Sequence, residues 1–172
     1  IPEVNDMFGS SLSSGDFNGD GKDDLAIGVP GDDIDPSVAT VGNFDAKTNS
    51  GQLRQFAGVV QVIYGSERGL SSAVLHNQVK VFIQGFDFLF DAPEFADFFG
   101  LSLASGDYNG DGLDDLAIGT PYEDTFLPSG GSVRDAGMVQ VVYGSQLVGL
   151  DTNQAVHDQA FWQGNNHVID AA

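Results

Sequence analysis

In the stretch DLAIG, Leu25 and Ile27 alternate with Ala26 and Gly28, a spacing of two that predicts a half-buried β-strand. The stretch VVQVIYG from Val59 is β-branched and aromatic and closes on a glycine, which predicts another. VKVFIQ from Val79 reads the same way. The segment from Phe8 to Phe17 is rich in Ser and Gly, as suits a strand whose backbone lies close to a neighbour. Gly and Pro punctuate the boundaries, and the one helix-like stretch, SSAVLHNQV, is too short to stand as a helix alone.

The pattern is written twice. FGSSLSSGDFNGDGKDDLAIGVPGDD begins at Phe8, and FGLSLASGDYNGDGLDDLAIGTPYED begins at Phe99, an offset of 91 residues. GVVQVIYGS from Gly58 is matched by GMVQVVYGS from Gly137, and VFIQG from Val81 by AFWQG from Ala160. Each copy carries about four strands and no helix. The expected fold is therefore all-β: two four-stranded antiparallel blades of a β-propeller, too few to close a ring within one chain. The expected division is residues 1–90 for the first blade, with a long insertion loop at 31–57, and residues 91–172 for the second. Thirteen residues separate Gly85 from Phe99; the eight after Gly164 and the seven before Phe8 make a similar length, which suggests two whole units. The spacing suits a piece of a longer propeller and a subunit that adds copies of itself head to tail equally well.

Charge narrows the partners. Asp and Glu number 25 against 6 Lys and Arg, a formal charge of −19. That balance argues against nucleic acid and against anionic membrane surfaces, both of which need a basic face. No apolar run approaches the ~20 residues that cross a bilayer. With no cysteine, thiolate catalysis, disulfides and cysteine-held metals are excluded.

The acid is concentrated in the repeated loop. Asp16, Asn18, Asp20 and Asp24 stand at positions one, three, five and nine of D-x-N-x-D-G-x-x-D, and Asp107, Asn109, Asp111 and Asp115 repeat the spacing. Gly21 and Gly112 hold position six, where a sharp turn favours a residue without Cβ. The carbonyls of Lys22 and Leu113, at position seven, can add one oxygen each. Such a set is hard oxygen throughout, which suits Ca²⁺ better than Zn²⁺, Cu²⁺ or the tightly octahedral Mg²⁺. Two Ca²⁺ per chain are expected, each offsetting the repulsion of its carboxylates. A hairpin of metal-free Asx turns is the competing reading of one copy; identical spacing in two copies argues against it. The loops are not EF-hands: Ile27 and Ile118 stand at position twelve, and a strand follows instead of a helix. Asp23 and Asp114 are expected to point away from the ion or to support the loop.

These residues resemble the FG-GAP repeat of integrin alpha subunits and related bacterial secreted proteins. The likeness rests on Phe8-Gly9, the loop from Asp16, DDLAIGVP from Asp23 and GVVQVIYGS from Gly58. In the second copy it rests on Phe99-Gly100, the loop from Asp107, DDLAIGTP from Asp114 and GMVQVVYGS from Gly137. The segment that gives the family its name stands here as Gly28-Val29-Pro30 and Gly119-Thr120-Pro121. The resemblance implies a propeller with calcium in the hairpin between the first two strands of each blade, on the lower rim. It implies ligand contact on the opposite face, where the 31–57 loop and the phenylalanine-rich FDFLFDAPEFADF would lie. It departs from the family in blade number, since family propellers close with more than two.

The expected function is a calcium-binding module for extracellular or cell-surface adhesion, contacting a protein or glycan. The alternatives are a self-assembling structural subunit of an extracellular ring or filament and an accessory propeller of a larger secreted enzyme. The expected partners are copies of itself or further blades of a parent chain. The chain itself is not expected to be an enzyme: no G-x-S-x-G elbow, P-loop or H-E-x-x-H occurs. His76 and His157 occupy matching places, as architecture would, and His167 has no evident partner in the sequence. Of Phe86, Phe88, Phe90, Phe95, Phe98 and Phe99, most are expected to pack between blades.

Overall fold

The computed structural model describes residues 4–34, 55–70, 79–84, 89, 92–126, 130–151 and 159–162. Within them the chain is all-β. The first blade is β1 (Ser11–Gly15), β2 (Asp24–Val29), β3 (Val59–Ile63) and β4 (Val79–Phe82), antiparallel neighbours in chain order. The second blade is β5 (Ser102–Gly106), β6 (Asp115–Thr120), β9 (Met138–Val142) and β10 (Gln159–Trp162), again antiparallel. Between β6 and β9 a small hairpin is added, β7 (Thr125–Phe126) with β8 (Ser132–Val133). The strand pattern did not predict this ribbon, whose two-residue arms are too short for a period of two to show.

The repeat dictates matching registers. Gly15 pairs with Asp24 and Gly106 with Asp115, so each acidic loop closes the first hairpin of its blade. The period-two faces then decide the packing. Ala26, Val60, Val62 and Phe82 of the first sheet cluster with Leu116, Ile118 and Val142 of the second and with Phe99 of the linker between them. Burying so many apolar side chains stabilises the pair at roughly 25 cal/mol per Å² of apolar surface removed from water.

Close backbone approach explains the serines and glycines of the inner strands. Ser11 Oγ donates to Gly100 O at 2.6 Å, and Ser13 Oγ to Ser105 Oγ at 2.9 Å, so β1 and β5 lie against each other. A Cβ on Gly28 would collide with Gly100 O and Ser11 Oγ. The linker joins in: Phe98 N donates to Phe56 O at 3.0 Å and Phe99 N to Ala57 O at 2.9 Å. The Phe98 ring stacks on Phe56 at 5.7 Å and tilts against Tyr122 at 5.5 Å.

The two blades are alike in sequence and unlike in burial. Val60 is 0% exposed and its repeat partner Val139 41%; Phe82 is 1% exposed and Phe161 40%. Of the phenylalanine-rich linker, Phe99 is buried between blades as expected, Phe98 is half-buried in its stack, and Phe95 is exposed. Phe86, Phe88, Phe90, the three histidines and most of the 31–57 loop lie outside the described residues.

Candidate functional site

Each acidic loop is knitted by its own side chains. In the first, Asp16 Oδ1 accepts from Asp20 N at 3.0 Å and Oδ2 from Gly21 N at 2.8 Å. Asn18 Oδ1 accepts from Asp20 N at 2.9 Å, and Asp20 Oδ1 from Lys22 N at 2.9 Å. The second loop repeats the set: Asp107 accepts from Asp111 N and Gly112 N, Asn109 from Asp111 N at 2.9 Å, and Asp111 from Leu113 N at 2.8 Å. Gly21 and Gly112 adopt φ of +80° and +88°, the left-handed turn expected at position six. Positions one, three and five are thereby wound around one another.

Position nine does something the spacing did not suggest. Asp24 is fully buried, with Oδ2 accepting from Phe17 N at 3.0 Å and Oδ1 from Gly65 N at 2.7 Å. Asp115 matches it, accepting from Tyr108 N at 2.8 Å and Gly144 N at 2.9 Å. Each carboxylate ties the hairpin to a glycine two residues past the third long strand of its blade. Burial pushes the Asp24 carboxyl up to about 6; the amides of Gly65 and Phe17 oppose this, and the charges of Asp20 and Asp16 add to it. Asp115 is raised for the same reason, burial first, with Asp111 adding to it against the amides of Gly144, Tyr108 and Asn109. The loop carboxylates are therefore near enough to press on the buried one.

Among the described residues no group of three or more Asp, Glu or His side chains is arranged to hold a metal ion. The loop carboxylates turn toward amides instead. The donor chemistry nonetheless fits a hard cation. Each ionised carboxylate has about four lone-pair positions. The amides fill two of them in Asp16 and three in Asp107, which leaves room for a cation. Charge is uncompensated as well: the one cation in the loop, Lys22, turns its Nζ to Asp20 O at 3.3 Å.

Asp114 is the residue that sequence reasoning underrated. Its Oδ2 accepts from Asp16 N at 2.9 Å, across the blade boundary. The signal was present in the paired DD of both copies, but nothing local shows that the first Asp of the pair reaches another blade.

Protonation follows from the burial of Asp24. A carboxyl raised from 3.8 to about 6 adds stability below its unfolded value, and that stability is lost as pH rises through 6. In EDTA, the chain is thus expected to melt at higher temperature at pH 5 than at pH 7, with Asp115 acting in the same direction. Thermal melts of the parent and Asp24→Asn across this range check it. A slope unchanged by the substitution would remove Asp24 as the cause.

The sequence model of the FG-GAP repeat matches residues 8–53 and 99–142, over half of the chain. Phosphatidylinositol-glycan-specific phospholipase D of Mus musculus is 33% identical over 149 residues, 87% of this chain and 14% of that protein. The Rattus norvegicus protein of the same name is 34% identical over 158 residues, 92% of this chain and 15% of its own. Integrin alpha-PS2 of Drosophila melanogaster is 28% identical over 146 residues, 84% of this chain and 8% of its own. The chain thus spans about one-seventh of the length of the phospholipases it matches. Two blades built on one repeat, each with the same acidic hairpin, and a match of that repeat to both copies make this chain a member of the FG-GAP repeat family.

Proposed function

We propose that the chain is a calcium-stabilised, non-catalytic FG-GAP module that presents a binding surface outside the cell or on its surface. The observation that carries the calcium part is the duplicated hairpin, in which oxygen-bearing side chains at positions one, three and five are wound into one turn that leads into a buried carboxylate at position nine. Asp16, Asn18, Asp20, Asp24 and the Lys22 carbonyl would hold one ion; Asp107, Asn109, Asp111, Asp115 and the Leu113 carbonyl would hold the other. A bound Ca²⁺ supplies positive charge among carboxylates that otherwise repel, so the hairpin and the strands it joins stiffen. The surface part rests on the opposite end of the blades, where Phe95 and Tyr122 are exposed beside the Phe56–Phe98 stack. Its ligand would be an extracellular protein or glycan.

A second reading concerns what covers the outer faces. Val139 and Phe161 occupy the repeat positions of Val60 and Phe82, which the neighbouring blade buries completely. The face they form is thus shaped to take another blade, either a further repeat of a parent chain or another copy. The likeness to phosphatidylinositol-glycan-specific phospholipase D supports the first, as an accessory propeller of a larger secreted enzyme.

Native mass spectrometry in calcium tests both. Two Ca²⁺ per chain are expected, and any assembly should be broken by Val139→Lys. A chain that takes up no calcium ends the first reading; a strict monomer at high concentration ends stacking of copies.

A further inference from the structure

The two acidic hairpins are joined at the residues that would bind the ions. Asp114 stands between Leu113 and Asp115 of the second hairpin. Its carboxylate accepts from Asp16 N at 2.9 Å, and its own amide donates to Asp16 O at 3.2 Å. Position one of the first hairpin is therefore gripped on both sides of its backbone by one residue of the second.

A separate relay links the two position-nine carboxylates. Asp115 Oδ1 accepts from Gly144 N at 2.9 Å; the next amide, Ser145 N, donates to Phe17 O at 3.1 Å; Phe17 N donates to Asp24 Oδ2 at 3.0 Å. Side chains add a third link. A Cβ on Gly19 would stand 2.7 Å from Leu113 Cδ2, so Leu113, buried where the matching Lys22 is half-buried, packs on the first loop. Within the chain the links run one way: Asp114 clasps the first hairpin, whereas its counterpart Asp23 is exposed.

We infer that the two hairpins bind calcium cooperatively and that Asp114 is the positioning residue that couples them. The inference rests on the calcium reading above. An ion in the second hairpin relieves repulsion on either side of Asp114 and fixes it. Asp16 and Asp24 are then held before the first ion site is filled, so less order has to be imposed when it is. The network is contiguous, as physical coupling between sites requires. Reciprocity follows: each ion strengthens the other by the same factor.

Calcium chloride titrated calorimetrically into the EDTA-stripped, dialysed chain tests this. Asp111→Ala disables the second hairpin and Asp20→Ala the first. In each, the surviving site is expected to bind at least about fivefold more weakly than it does beside a filled partner, by equal factors. Asp114→Ala, which leaves the Gly144–Ser145–Phe17 relay and the Leu113 contact in place, is expected to reduce the coupling clearly below that of the parent. Asp114→Asn, whose amide oxygen still accepts from Asp16 N, is expected to keep it. Asp23→Ala, which removes the same charge from the other hairpin, is expected to keep it too. Hydrogen exchange gives an independent readout: in Asp20→Ala, calcium in the second hairpin should slow the Asp16 and Phe17 amides. Affinities that are the same with the other site intact or disabled would overturn the coupling alone. No calcium heat in the parent chain would overturn the calcium reading, and the coupling with it.

Discussion

Stripping calcium with EDTA is expected to lower the melting temperature by about 10–20 °C. A ligand present at a hundred times its dissociation constant stabilises the state it binds by about 2.7 kcal/mol, so two sites supply about 5 kcal/mol. For a chain of this size, each kcal/mol moves the melting point by roughly 2–4 °C. The loss should be this large because the hairpins are not appendages. Asp24 and Asp115 tie them to Gly65 and Gly144, just past β3 and β9, and Asp114 ties one hairpin to the other. Magnesium should restore much less, since it demands a tighter geometry and keeps its waters. Melts followed by circular dichroism in calcium, magnesium and EDTA check this; coincident curves would remove the ion from the fold.

The second large effect is expected from Phe99→Ala, a loss of about 3–5 kcal/mol, as for other buried aromatic truncations. Phe8→Ala, at the same position of the repeat, should fall within about 0.5 kcal/mol of the parent. Phe99 is 0% exposed and belongs to the cluster between the blades, whereas Phe8 is 62% exposed. Both follow a residue of left-handed φ, Phe98 and Met7, and both precede the glycine of the repeat, so local structure is the same. Only the neighbouring blade separates them. Urea midpoints at dilute concentration measure the difference. Equal losses would mean that Phe8 is covered as Phe99 is and would overturn the asymmetry between the blades.

Much of the fold could be read directly. The alternation in DLAIG becomes β2 and β6, and VVQVI becomes β3, because β propensity and a period of two act over a few residues. The alternation predicted half-buried strands, whereas β2 and β6 are buried on both faces because sheet and linker residues cover each side. The hairpin turn was legible for a similar reason: D-x-N-x-D-G supplies side-chain acceptors for its own amides and a glycine where φ is positive. The position-nine carboxylates were legible as acids of the loop but not as buried ties. The amides of Gly65 and Gly144, which hold them, are distant in the chain. The β7–β8 ribbon was missed because its strands are two residues each.

By itself, the sequence determined the repeat, the strands, the turn chemistry and the family, since each depends on neighbours only a few residues away. The tertiary structure decided which of two equivalent residues is buried, Val60 or Val139, Phe99 or Phe8, and which loop acid crosses to the other blade. Two nearly identical local sequences carry nearly identical local instructions. What distinguishes them is the sheet stacked against one face and not the other, a contact between residues some ninety positions apart.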